Sequence, residues 1–184
     1  MSLTESYMLP LGTIAPEFNL PNTVDEKNYN LSELIGEKGT LIIFICNHCP
    51  YVIHLIEKLV ETAKKYIAKE INTIAISSNS IKTHPQDGPE EMKNFALDKN
   101  FSFPYLYDES QEIAKKYDAA CTPDFYLFDK DLKLVYRGRY DDSRPGSEKA
   151  VTGKDLHSAI DHLLINKEVN IKQYPSMGCN IKWH

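Results

Sequence analysis

Hydrophobic and polar positions alternate along this chain in two periods. Residues 41–46 (LIIFIC) form the longest uninterrupted apolar run. With Thr40 they read as a β-branched and aromatic strand buried on both faces. After a short joint the period changes. Val52, Leu55, Ile56, Leu59, Val60, Ala63 and Ile67 recur at three- and four-residue steps, with Glu57, Lys58, Glu61, Lys64 and Lys65 on the opposite face; this is the signature of a long amphipathic helix. Residues 72–77 (NTIAIS) predict a second buried strand, and 78–88 a loop. A helix is expected over 89–99, with Met92, Phe95 and Ala96 inward and Pro89 at the first helical position, where its missing N–H costs nothing. A short strand at 103–107 and a short helix at 110–117 follow, then a hairpin of 125–128 with 133–137 around Asp129-Lys130-Asp131. Residues 141–150 read as a loop. A last helix over 153–166 is carried by Leu156, Ala159, Ile160, Leu163 and Leu164. At the start, 12–21 (GTIAPEFNLP) predict a short hairpin or edge strand, and the mostly polar 22–39 one helical turn. The tail, 167–184, has no periodicity and reads as unstructured.

The order β–α–β–α–β–α–β–β–α implies parallel pairing early, through right-handed crossovers, and an antiparallel pair late. The expected fold is therefore α/β: a mixed central sheet with helices on both faces and an N-terminal hairpin extension, the pattern of the thioredoxin fold. A length of 184 residues suits one domain. With 42% hydrophobic residues, a core can close without cross-links. The formal charge of −5, with no Lys/Arg block, gives no footprint for nucleic acid. No run is long enough to cross a bilayer. The first twenty residues lack the cationic start and apolar run of a secretory signal. The expectation is a cytoplasmic protein without nucleic-acid or membrane partners.

Four cysteines, Cys46, Cys49, Cys121 and Cys179, are too few for a disulfide framework. In a reducing compartment such thiols are reactive, metal-binding or simply buried. The stretch FICNHCPYV decides where the chemistry lies. Cys49 immediately precedes Pro50, which opens the long helix, so Cys49 is the expected N-cap, its sulfur beside unpaired backbone N–H groups. Those groups and the helix dipole favour the thiolate, the form that attacks disulfides and peroxides. A helix terminus contributes up to ~2 kcal/mol, enough to lower the cysteine pKa by about one. Cys46 stands three residues earlier, in the C-x-x-C spacing shared by redox dithiols and zinc sites. A core thiol at Cys46, or a zinc site of Cys46, Cys49 and His48 or His54, are the alternatives. The latter needs a fourth ligand, and no second C-x-x-C knuckle supplies one.

The segments GTIAPEFNLP, TLIIFI leading into CNHCPYV, CTPDFYLFD, DDSRPG and the ending GCNIKW together resemble the alkyl hydroperoxide reductase/thiol-specific antioxidant (redoxin) proteins, and within them the peroxiredoxin-like branch. The resemblance spans nearly the whole chain. It implies a thioredoxin-like fold and thiol-dependent redox chemistry, with Cys49-Pro50 matching the peroxidatic Cys-Pro. It also has departures. Peroxiredoxins carry Thr or Ser where Cys46 stands; thioredoxins carry their second cysteine where Val52 stands; and the peroxiredoxin Arg near 125–128 is absent. Instead Thr122-Pro123 resembles the cis-proline of thioredoxins, which faces the active cysteine and offers backbone hydrogen bonds to a bound peptide.

The function implied is that of an oxidoreductase, a thiol–disulfide reductase or peroxiredoxin-like antioxidant reductase, with Cys49 as nucleophile, Cys46 as resolving thiol, and Thr122 and Pro123 at the substrate. Its partners would be a protein disulfide or a hydroperoxide, a thiol electron donor, and for some redoxin relatives a second copy in a homodimer. No cofactor or metal is called for. Parallel strands 40–45 and 72–77 would bring Ser77–Asn79, Thr122-Pro123 and 139–144 around Cys49. Arg137, Arg139 or Arg144 is then a candidate source of positive charge, with Arg144 taken as the accessory group. Cys121 is either a third redox thiol or core filler, and Cys179 either a resolving thiol on a flexible arm or an exposed one. A non-catalytic module that holds a partner in the Thr122-Pro123 groove is the rival from another class.

Overall fold

In the computed structural model of the protein, residues 3–169 and 172–184 are described. Five strands make the central sheet: β4 (Gly39–Phe44), β5 (Ile71–Ser77), β6 (Tyr105–Tyr107), β8 (Asp124–Asp129) and β9 (Leu134–Gly138), in the order β6-β5-β4-β8-β9. β4 runs parallel to β5 and antiparallel to β8. Every residue of β4 is buried, as its unbroken apolar run requires. Successive side chains leave a strand on opposite faces. Leu41, Ile43, Ala75, Phe125 and Leu127 accordingly meet α2 (Pro50–Ile67), α3 (Pro89–Asp98) and α5 (Lys154–Leu164). Ile42, Phe44, Ile74, Ile76, Tyr126 and Phe128 meet α1 (Leu31–Leu34), α4 (Glu112–Lys116) and the N-terminal segment around Phe18 and Leu20. This is the mixed sheet, covered on both faces, that the sequence predicts.

α2 buries Val52, Leu55, Ile56, Leu59, Val60 and Ala63, the expected stripe, but its last inward position belongs to Tyr66. Ile67 is 47% exposed, because the helix ends there and the stripe has rotated past the sheet. The Tyr66 hydroxyl reaches Asp161 on α5 at 3.0 Å, so the ring packs while its polar end keeps a partner.

Two small sheets complete the fold. β2 (Asn19–Pro21) pairs antiparallel with β3 (Asn28–Asn30), giving the N-terminal hairpin. Its second strand falls within 22–39, where polar side chains hide a strand whose pairing is set by backbone alone. The other small sheet corrects the expectation of an unstructured tail. β10 (Met177–Asn180) lies between β1 (Leu3–Glu5) and β7 (Cys121–Thr122), antiparallel to both. The final residues are tied down as well: Ile181 N–H donates to Ala120 O at 3.1 Å and Lys182 N–H to Asn79 Oδ1 at 2.8 Å. No helix among the described residues is long and apolar enough to cross a membrane.

Candidate active site

Cys49 stands where the chain leaves the sheet for α2. Its backbone is extended, it is the N-cap of α2, and Pro50 takes the first helical position. The Cys49 carbonyl accepts from the N–H of Val52 at 2.9 Å and of Ile53 at 3.0 Å, which closes the first turn. The sulfur does something other than the sequence suggests. It makes no capping hydrogen bond to the helix. It points across to β7, where as a thiol it donates to Thr122 O at 3.1 Å.

The Cys49 pKa is lowered from the ordinary 9.0 to about 5. The largest cause is a hydrogen bond from the Cys46 thiol; burial opposes the shift, and donors on Cys179 (its thiol and its backbone N–H) and the Thr122 side chain reinforce it. A drop of this size exceeds the roughly one unit that a helix terminus supplies. The anion is therefore held mainly by side-chain and backbone donors from three segments. Cys46 is the complement: donation to Cys49, burial and the nearby Asp87 carboxylate all push its pKa well up. Cys179 is pushed up to about 12, by burial first and then by donation to Cys49. One negative charge is thus localised on Cys49, with the other two sulfurs donating to it.

Cys46 also lies 3.4 Å from Thr122 Oγ1. Behind it, Asp87 on the 3-10 turn Pro85–Asp87 fixes the loop between β4 and α2. Asp87 accepts from Asn47 N–H at 2.9 Å and Asn79 Nδ2 at 2.8 Å, and pairs with His48 Nδ1 at 2.7 Å. Burial works against its charge, yet these partners hold its pKa below the usual carboxylate range. Cys46 Sγ, His48 Nδ1 and an Asp87 oxygen lie within 4.8 Å of one another and are three donors that could hold a metal ion. The set differs from the one inferred from spacing: Asp87 joins it from a distant turn, whereas His54 turns to Ser143 Oγ at 3.1 Å.

The Thr122–Pro123 peptide is cis. Pro123 borders a groove with Tyr51, His54, Ser143, Arg144 and Met177. The arginines are held elsewhere. Arg137 is wholly buried in a two-pronged ion pair with Asp124 and lies over the Tyr126 ring. Arg139 donates to Asp155 at 2.6 Å. Arg144 lines the groove, but its guanidinium donates to the carbonyls of Asp141 and Ser143, at 3.1 and 2.6 Å. Cys121 is fully buried, 3.7 Å from Pro123 O, and burial pushes its pKa up, as befits core filler. Cys179 is neither exposed nor on a loose arm: it is 4% exposed and pairs with Thr122 in the β10–β7 register. The sequence carries the cysteine but no strand signal around it, since MGCN has neither alternation nor β-branched residues.

Comparison with known proteins bears on the fold and the family. A structure of a conserved protein from Geobacillus kaustophilus superposes with a TM-score of 0.98 at 50% identity, covering 100% of this chain and 97% of that one. The thioredoxin domain of a thiol-disulfide oxidoreductase from Bacteroides vulgatus superposes at 0.66 and 16% identity, over 85% of this chain and 99% of that one, and so shares the fold. The thiol-disulfide oxidoreductase ResA of Bacillus thuringiensis subsp. konkukian is 26% identical over 132 residues, 72% of this chain and 71% of its own. The model of the AhpC/TSA family matches residues 11–137, which include Cys46, Cys49, Thr122 and Pro123. On a thioredoxin-like fold, with its cysteine at the mouth of α2, this chain belongs to the AhpC/TSA family.

Proposed function

We propose that the protein is a thiol–disulfide oxidoreductase in which Cys49 is the attacking thiolate. The observation that carries this reading is the placement of Cys49 at the N-cap of α2, its charge favoured by the Cys46 and Cys179 thiols and by Thr122. Such a sulfur is ionised at neutral pH without needing a base, and the thiolate is the reactive form. The reaction begins with attack on one sulfur of a disulfide. A mixed disulfide forms, the other sulfur leaves as a thiolate, and a neighbouring thiol then displaces the second half. Cys46 is the local choice for that second thiol by C-x-x-C spacing, and an external thiol returns the pair to the reduced state. ResA, named for this activity, supports the reading from the side of the relatives. A hydroperoxide is a second substrate class, favoured by the full burial of Cys49, which suits a small oxidant.

The test is turnover of a disulfide, either insulin or oxidised glutathione, with dithiothreitol as donor. The wild type is expected to accelerate the reaction above dithiothreitol alone, and Cys49→Ser to abolish the acceleration. No acceleration by the wild type, or full activity in Cys49→Ser, contradicts the assignment.

A further inference from the structure

Two cysteines donate to Cys49, and they differ in what surrounds them. Cys46 has 0% exposure, touches the Thr122 hydroxyl, and faces the buried Asp87 carboxylate. Cys179 lies on β10, at the register position directly across from Thr122. The attacking thiol in an exchange step must become a thiolate. Cys46 is walled in, with Thr122 Oγ1 at 3.4 Å and His48 Nδ1 at 3.8 Å, whereas Cys179 is carried by the strand that pairs with β7.

β10 is also where it is for a reason the backbone makes plain. Gly178 packs so closely on β7 that a Cβ there would lie 1.9 Å from Thr122 O. Ser176 Oγ donates to Pro123 O at 2.6 Å, and Ser6 and Ser176 exchange hydrogen bonds at 2.9 Å. An extended peptide reaching the nucleophile would recognise the edge of β7 by strand addition. That edge is already paired by β10, which brings its own cysteine to the sulfur.

We propose that β10 occupies, within the same chain, the position of an extended substrate segment, so that Cys179 resolves the mixed disulfide and the substrate is a small disulfide rather than a protein one. The proposal rests on Cys49 being the nucleophile. Cys49 thiolate attacks R–S–S–R, giving Cys49–S–S–R and releasing RS⁻, which takes up a proton. The Cys179 thiol, losing its proton to solvent, then attacks the Cys49 sulfur. The Cys49–Cys179 bond forms and the second RS⁻ leaves, so that two cysteine thiols are oxidised as one R–S–S–R becomes two R–SH. Two equivalents of an external thiol reverse the oxidation. Cys179 sits across from Thr122, whose carbonyl the Cys49 sulfur meets at 3.1 Å, so β10 carries it to the nucleophile.

The experiment is disulfide mapping by mass spectrometry after reaction of the reduced protein with one equivalent of oxidised glutathione. A Cys49–Cys179 link is expected in the wild type and in Cys46→Ser. In Cys179→Ser and Cys179→Ala the link is lost and glutathionylated Cys49 accumulates. The wild type should also turn over oxidised glutathione faster than insulin. A Cys46–Cys49 link in the wild type, unchanged in both Cys179 variants, or faster turnover of insulin, overturns the proposal while leaving Cys49 as nucleophile. A Cys49 that remains unmodified in the wild type overturns the nucleophile assignment itself.

Discussion

At the scale of single residues, the chemistry comes from an imbalance among like groups. Three thiols meet, and their surroundings decide which one carries the charge. Cys49 is the sulfur that the other two donate to; Cys46 is held back by its bond to Cys49 and by burial, and Cys179 by its burial. The position of Cys49 is legible in the sequence, because a cysteine before a proline at the start of an amphipathic stripe is an N-cap by elementary helix chemistry. The means of its activation is legible in part: Cys46 stands three residues away, but Cys179 lies 130 positions beyond Cys49 and no local rule brings it there. Cys46 is the largest influence on the Cys49 charge. Cys46→Ala should raise the midpoint of the Cys49 thiolate titration from about 5 toward the ordinary cysteine range, followed by ultraviolet thiolate absorbance against pH. Cys46→Ser, which keeps a donor, should raise it less. An unmoved midpoint in Cys46→Ala would contradict the arrangement described.

Among the elements, the long periodic ones are those that sequence reads well. β4, β5 and α2 carry enough apolar residues in one period to be placed within a residue or two, and the β8–β9 hairpin announces itself through its polar turn. The short strands are invisible for a physical reason. β7 has two residues and β10 four; their pairing is a matter of backbone contact, and small or polar side chains such as Gly178 and Asn180 carry no period. Gly178 nonetheless marks its own role once the partner is known. Gly178→Ala would force a Cβ into the Thr122 carbonyl. It is expected to cost about 1–3 kcal/mol, in the range of overpacked sites. Urea denaturation should show the lower midpoint. The same variant should loosen β10 and so speed alkylation of Cys49. Wild-type stability in Gly178→Ala would mean that β10 is not seated against β7 as described.

The whole molecule is a sheet whose one end gathers segments that are far apart in sequence: the β4–α2 joint, the 3-10 turn, the cis Thr122–Pro123 bond and the C-terminal strand. Fold class follows from the order and period of elements, so it was open to the sequence. The closing of the site by the chain's own terminus was not, because it depends on a return over the full length of the chain. The buried Arg137–Asp124 pair shows the same limit: Arg137 reads as a candidate at the active site, yet its charge is taken up by a neighbouring strand. The folded protein ranks its four cysteines by their surroundings, and one measurement reads all of them. It is the rate of iodoacetamide labelling at each cysteine of the native reduced protein, followed by mass spectrometry across pH. The account predicts that Cys49 labels first, with a rate that rises through about pH 5 and levels off by neutrality, while Cys46, Cys121 and Cys179 lag throughout. The sign follows from the thiolate fraction, which grows as pH passes upward through the lowered pKa and is complete above it. A Cys49 that labels no faster than the others, or only as pH climbs through the ordinary cysteine range, would contradict it.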